Sequence, residues 1–184
     1  MPLMKTPRQF ICLACLLLVP QLASSAGLPP WQFGMTKEQV VSFKQFGPYR
    51  TFKNGDPETF NGMYRGQTHN VQFYFENNRL IRIAVSLGEG TDRDKAIATF
   101  RQAYDILKKD YGPVKIPELH VARESAPVPM DAMAIGAAAN AYVTGHTHIV
   151  PVKQPKDMRV SGQIMSWVVA GERLYGVVID FDPR

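Results

Sequence analysis

A chain of 184 residues, 45% of them hydrophobic, is the size of one packed domain, and 21 Lys and Arg against 16 Asp and Glu leave a formal charge of +5, too little to argue for nucleic acid. Cys12 and Cys15 are the only cysteines and both lie near the N-terminus, which excludes a disulfide scaffold, a cysteine nucleophile and a thiolate metal site from the rest of the chain.

Residues 1–26 read as an export signal. Lys5 and Arg8 give a positive start, residues 10–19 form an apolar run too short to span a bilayer, and Ser24-Ser25-Ala26 offers small residues for cleavage before Gly27. Lipidation at Cys15 is disfavoured, because only about five apolar residues precede it. The expectation is a single domain of residues 27–184, periplasmic or secreted, with a charge of about +3 once Lys5 and Arg8 are gone and with no transmembrane anchor.

The domain opens with Pro29-Pro30 and an alternating Trp31 and Phe33, Trp31 being expected as a core anchor. Thr36 and Gln39 form a capping box with Glu38 in the first turn, so a helix follows, turning Val40, Phe43, Met35 and Phe46 inward and ending at Gly47-Pro48. Residues 50–52 and 59–65 are strand candidates on either side of a turn at Asn54-Gly55. Residues 70–85 read as a hairpin, with Val71, Phe73 and Phe75 alternating on one arm and Ile81, Ile83 and Val85 on the other. A two-residue loop at Asn77-Asn78 would put those rows on opposite faces, so face parity predicts a three-residue loop at 76–78, pairing Phe73 with Ile81 and Val71 with Ile83. The second face then carries Gln72, Tyr74, Arg82 and Ser86, and short turns make a meander the simplest topology.

Residues 91–111 give the strongest helix pattern, with Thr91 as cap, Ile97, Phe100, Tyr104, Leu107 and Tyr111 as inward stripe, and Gly112-Pro113 as stop. Pro113, Pro117, Pro127 and Pro129 make 114–130 an irregular excursion, with an edge strand expected at 119–122. Residues 131–143 favour a helix capped by Asp131, a buried strand at 140–144 being the alternative. Strands are expected at 146–152, 160–169 and 174–181, the last two joined by a turn at 170–173. The order predicts an α+β fold, an antiparallel sheet of six or seven strands with two or three helices on one face. Each half holds a helix followed by an antiparallel run, without a repeat in the residues.

The opening Trp31-x-Phe33-Gly34-Met35-Thr36-x-Glu38-x-Val40, with Phe73-x-Phe75-x-Asn77-x-x-Leu80, resembles the exported α+β domains of the small outer-membrane assembly lipoproteins of the SmpA/OmlA type. The tandem arrangement resembles the β-lactamase-inhibitor-protein class of fold. The resemblance implies a periplasmic binding or assembly module without catalytic residues. This chain departs from the lipoprotein pattern in lacking a credible lipidation cysteine and in carrying a second α and β half.

His146 and His148 stand two apart on a strand and so face the same way, as two ligands of one metal ion would. By themselves they are two histidines on a polar strand face. A site needs a third ligand, and His69, His120, Glu118, Asp180 and Asp182 are the options, none brought close by sequence spacing. Asp180 and Asp182 also share a face, as hydrolase carboxylates might, although charged residues on the solvent side of a terminal strand are the commoner case. No nucleophile elbow, glycine-rich phosphate loop or zincin motif is present. No cofactor is therefore expected. The expected function is a non-catalytic exported protein-binding module, such as an inhibitor, immunity or envelope-assembly factor, that meets another envelope protein through Gln72, Tyr74 and Arg82 or through the 113–130 excursion. A small-ligand carrier using Trp31, Tyr64, Tyr74, Tyr142 and Trp167 is the alternative, and a metal-dependent hydrolase ranks third.

Overall fold

The computed structural model describes residues 27–52, 54–119 and 129–184. Residues 1–26, read above as an export signal, and His120 lie outside the described residues. The elements run β1 (Gly27–Leu28), β2 (Trp31–Gln32), α1 (Lys37–Val41), a 3-10 turn at Lys44–Phe46, β3 (Tyr49–Thr51), β4 (Pro57–Tyr64), β5 (Gln67–Glu76), β6 (Arg79–Gly90), α2 (Arg93–Tyr111), β7 (Val114–Lys115), α3 (Met130–Thr144), β8 (His146–Pro151), β9 (Met158–Val169) and β10 (Glu172–Pro183). The fold is α+β, as the element order implies. Its main sheet is antiparallel, with eight strands rather than six or seven, in the order β3-β4-β5-β6-β10-β9-β8-β7. Two four-stranded meanders thus meet along their last strands, β6 and β10. None of the described helices is long and apolar enough to cross a membrane.

The hairpin corrects the expected loop. Glu76 pairs with Arg79, so the turn is the two residues Asn77 and Asn78, both at positive φ (49° and 57°), as a tight hairpin turn with matching twist requires. The parity objection is met by a bulge: Tyr74 faces Arg82 and Phe75 faces Leu80, leaving Ile81 as an extra residue on β6. Phe73 therefore meets Ile83, and Val71 meets Val85. Leu80 enters the core in place of Ile81.

The capping box of α1 forms, with Thr36 N–H donating to Gln39 Oε1 and Gln39 N–H to Thr36 Oγ1. Gly47-Pro48 follows the 3-10 turn and not α1 itself, which already stops at Val41. Trp31 is fully buried, its ring centroid 4.8 Å from those of both Phe46 and Phe73. In α2 the cap is Asp92 rather than Thr91, because its carboxylate accepts from the N–H groups of Asp94 and Lys95 (2.9 and 3.0 Å) at the positive helix end. The buried stripe is Ala96, Thr99, Phe100, Ala103 and Leu107, with Ile97, Tyr104 and Tyr111 half-buried beside it. Leu107 seats on Gly162 of β9, where an added Cβ would stand 3.1 Å from Leu107 Cδ1.

Residues 130–144 are helix throughout, which removes the strand alternative. Pro129 holds the cap position. Asp131 lies one residue into the helix and pairs with Arg101 (2.8 Å). The buried Ala134, Ala137, Ala138 and Ala141 make a flat face that lets α3 approach α2 and the sheet closely. Of the edge strand expected at 119–122 only Leu119 is described, and it lies in no strand; residues 120–122 lie outside the described residues. Among the described residues the sheet ends at β7, where Val114 pairs with Pro151 and Lys115 with Val150.

Leu80 is 1% exposed and Ile81 37%. Leu80→Ala is expected to lower the unfolding free energy by about 2–5 kcal/mol and Ile81→Ala by less than about 1 kcal/mol, read from urea midpoints. Equal losses, or a larger loss at Ile81, would contradict the bulged register.

Candidate functional site

The core-facing side chains of the sheet, among them Phe73, Ile83, Val85, Ile164, Ile179 and Phe181, lie under the helices. Strand alternation sends their neighbours to the other face, which no helix covers among the described residues. A bonded polar band crosses it. Asn70 Nδ2 donates to Glu58 Oε2 (2.8 Å), Gln72 Nε2 to Asn70 Oδ1 (3.1 Å), and the Tyr74 hydroxyl to Gln72 Oε1 (2.8 Å). The Arg82 guanidinium lies over the Tyr74 ring at 5.9 Å from its centroid and donates from Nε to Asp182 Oδ1 (2.7 Å), linking β6 to β10.

Gln163 on β9 donates to Asp180 Oδ2 (2.7 Å), and His148 on β8 lies opposite Gln163. Glu118, in the turn after β7, accepts from the main-chain N–H of His148 (3.2 Å) and meets its Nδ1 (2.5 Å). The His146 ring packs edge-on against that of His148 at 4.8 Å.

The expected trio Gln72, Tyr74 and Arg82 is therefore one contiguous group. Of the third ligands considered for His146 and His148 that lie among the described residues, only Glu118 is brought to them. His69 bonds to the Ser86 carbonyl with three strands intervening, Asp182 is taken by Arg82, and Asp180 by Gln163. The two aspartates share a face but have separate partners. Gln163 and the role of Glu118 were not visible in sequence. The alternation of Ser161 and Gln163 with buried Val160 and Ile164 could have flagged Gln163, but nothing local marks Glu118. The aromatics offered for a ligand carrier do not converge: Trp31 and Tyr64 are core residues, while Tyr142 stacks under Arg173.

Burial sets the protonation behaviour of the band. Asp180 is 5% exposed, and burial pushes its carboxyl up to about 6, against the opposing pull of the Gln163 hydrogen bond and the Arg82 charge. The Asp182 carboxylate reinforces the rise and His148 opposes it. Burial also pushes the Tyr74 hydroxyl up. At Glu118, burial acts upward but is outweighed by the hydrogen bonds to the His148 ring and to main-chain N–H groups, so its carboxyl lies below the usual range.

A folded-state pKa above the unfolded one means that the native state holds the extra proton, so this contribution is complete below the unfolded value of 3.8 and is lost as pH rises through about 6. Asp180→Asn should therefore gain on the parent protein by roughly 3 kcal/mol between about pH 4 and pH 7 in urea unfolding. A difference independent of pH would contradict the burial assignment. Compared with protein-family models, with curated proteins and with solved structures, the chain matches none of them.

Proposed function

We propose that this is a non-catalytic exported protein that binds another envelope protein through the uncovered face of its sheet, centred on Gln72, Tyr74 and Arg82. The observation that carries the reading is the band itself. Polar and aromatic side chains from neighbouring strands are held in place by bonds to one another, giving a pre-organised surface with open hollows beside Gln72 and Tyr74 and beside Arg82 and Asp182. Tyr and Arg are the residue types that anchor protein interfaces. Here Tyr74 is half-buried with its hydroxyl held by Gln72, and Arg82 keeps 48% of its side chain exposed. The resemblance of residues 31–40 and of the hairpin to exported assembly modules supports the same reading, as does the short apolar run with its small-residue cleavage site.

The test is site-specific photocrosslinking in cells, with a photoreactive side chain in place of Tyr74 and, as control, in place of Arg101 on the exposed side of α2. One discrete envelope protein should be captured from position 74 and not from 101, and Arg82→Glu should reduce the capture by at least about tenfold. Equal capture from both positions, or none from 74, would overturn the reading.

A further inference from the structure

At the β8 end of the open face, ligand-type atoms of Glu118, His146 and His148 all lie within 4.8 Å of one another. We propose that these three residues bind a divalent transition-metal ion, zinc in preference. Two imidazoles and a carboxylate are a nitrogen-rich donor set for a borderline cation, and three protein ligands leave a fourth position to water. Calcium and magnesium, which take oxygen ligands, do not suit it. No part of the proposal depends on the partner-binding reading above.

The scaffold is rigid where a metal site needs it to be. Between the histidines, Thr147 is fully buried on the opposite side of β8, its hydroxyl donating to the Ala137 carbonyl of α3 (2.9 Å) and accepting from Asn140 Nδ2 (2.9 Å). That anchor fixes the strand's alternation and so turns both flanking imidazoles outward. The Thr144 hydroxyl holds the His146 carbonyl (2.9 Å), fixing the start of the strand. The Glu118 carboxylate is aimed by the main-chain N–H of His148, the kind of supporting bond that orients a metal ligand.

Edge capping accounts for Glu118 on the His148 N–H, but it gives no role to the ring of His146 stacked beside them. In a tetrahedral zinc site the ligand atoms stand about 3.3–3.5 Å apart. The cluster therefore needs only side-chain rotation: Glu118 and His148 Nδ1 move apart from 2.5 Å to admit the metal, and the exposed His146 ring turns inward.

The test is calorimetric titration of the purified protein with zinc chloride. Cys12 and Cys15 are replaced by serine where the N-terminal segment is retained, so that no thiol competes. One zinc per chain should bind at micromolar affinity or tighter, and His146→Ala, His148→Ala and Glu118→Gln should each weaken binding more than about tenfold, with His69→Ala leaving it unchanged. His146 is exposed, so its variant tests the site without threatening the fold, and circular dichroism checks this. Cobalt(II) in place of zinc should give the intense visible absorption of a four-coordinate ion, lost in the same variants. No heat and no cobalt spectrum at about 100 μM metal, roughly a hundred times a micromolar Kd, would overturn the proposal, as would binding that survives His146→Ala and His148→Ala.

Discussion

The pairing of β6 with β10 is the constraint on which the rest of the molecule depends. Ile83 lies beside Phe181 and Val85 beside Ile179, so strands about a hundred residues apart close the sheet. Such a contact forms only after a long loop has been closed, and it has to be offset by burial. The offset lies on the helix side. Ile83, Val85, Ile179 and Phe181 are all buried, each worth up to about 1.5–3 kcal/mol, and α2 packs on β6, β10, β9 and β8, spanning the junction. On the other side the junction is crossed by Arg82 and Asp182. With Arg82 half exposed, that pair adds little stability and chiefly fixes position. Hydrophobic closure on one face is what aligns the polar band on the other.

The two edges of the sheet explain where the chemistry gathers. β3 and β7 are three and two residues long, and so offer little open ladder to a stray strand. Beyond the end of β7 the chain turns, with the Leu119 N–H bonded to the Ile116 carbonyl, and Glu118 takes the His148 N–H that a longer strand would have paired. One carboxylate thereby blunts an edge and comes to lie beside two imidazoles. The metal site proposed above uses a residue that the sheet needs in any case, which is why it sits at the rim of the face and not at its centre.

Much of the layout was legible because it is local. The alternation of Val71 and Phe73, and that of Tyr175, Val177, Ile179 and Phe181, marks core-facing strand positions that are all buried, and the 3.6-residue pattern of 91–111 is a helix over nearly that span. The hairpin shows the limit. Parity named the right face but the wrong loop, since a bulge at Ile81 restores parity as well as an odd loop does, and sequence does not distinguish them. Likewise Ile97 and Tyr104 fit the stripe of α2, yet the small Ala96 and Ala103 define its buried centre, because close approach to the sheet favours residues that let the axis come near. Gln72, Tyr74 and Arg82 could be grouped because they belong to one hairpin. Asp182, Gln163 and Glu118 join them only through the β6–β10 pairing and the turn after β7, which no short-range pattern encodes.

The open face is polar yet largely satisfied, and this decides how anything can bind to it. Because Tyr74, Gln72 and Gln163 already donate to neighbours and Arg82 commits only its Nε–H to Asp182, a docking partner would draw new hydrogen bonds chiefly from the remaining guanidinium N–H groups and meet elsewhere side chains with little rotational freedom left to lose. Excluding water from the Arg82–Asp182 pair would strengthen their mutual attraction while charging both groups a desolvation penalty, so affinity rests on how completely the partner's own groups meet the remaining lone pairs of the carboxylates. Asp180 shifts that balance. Buried and with its carboxyl raised to about 6, it is ionised at neutral pH at a cost to the free protein, and a cationic group brought near it would recover part of that cost.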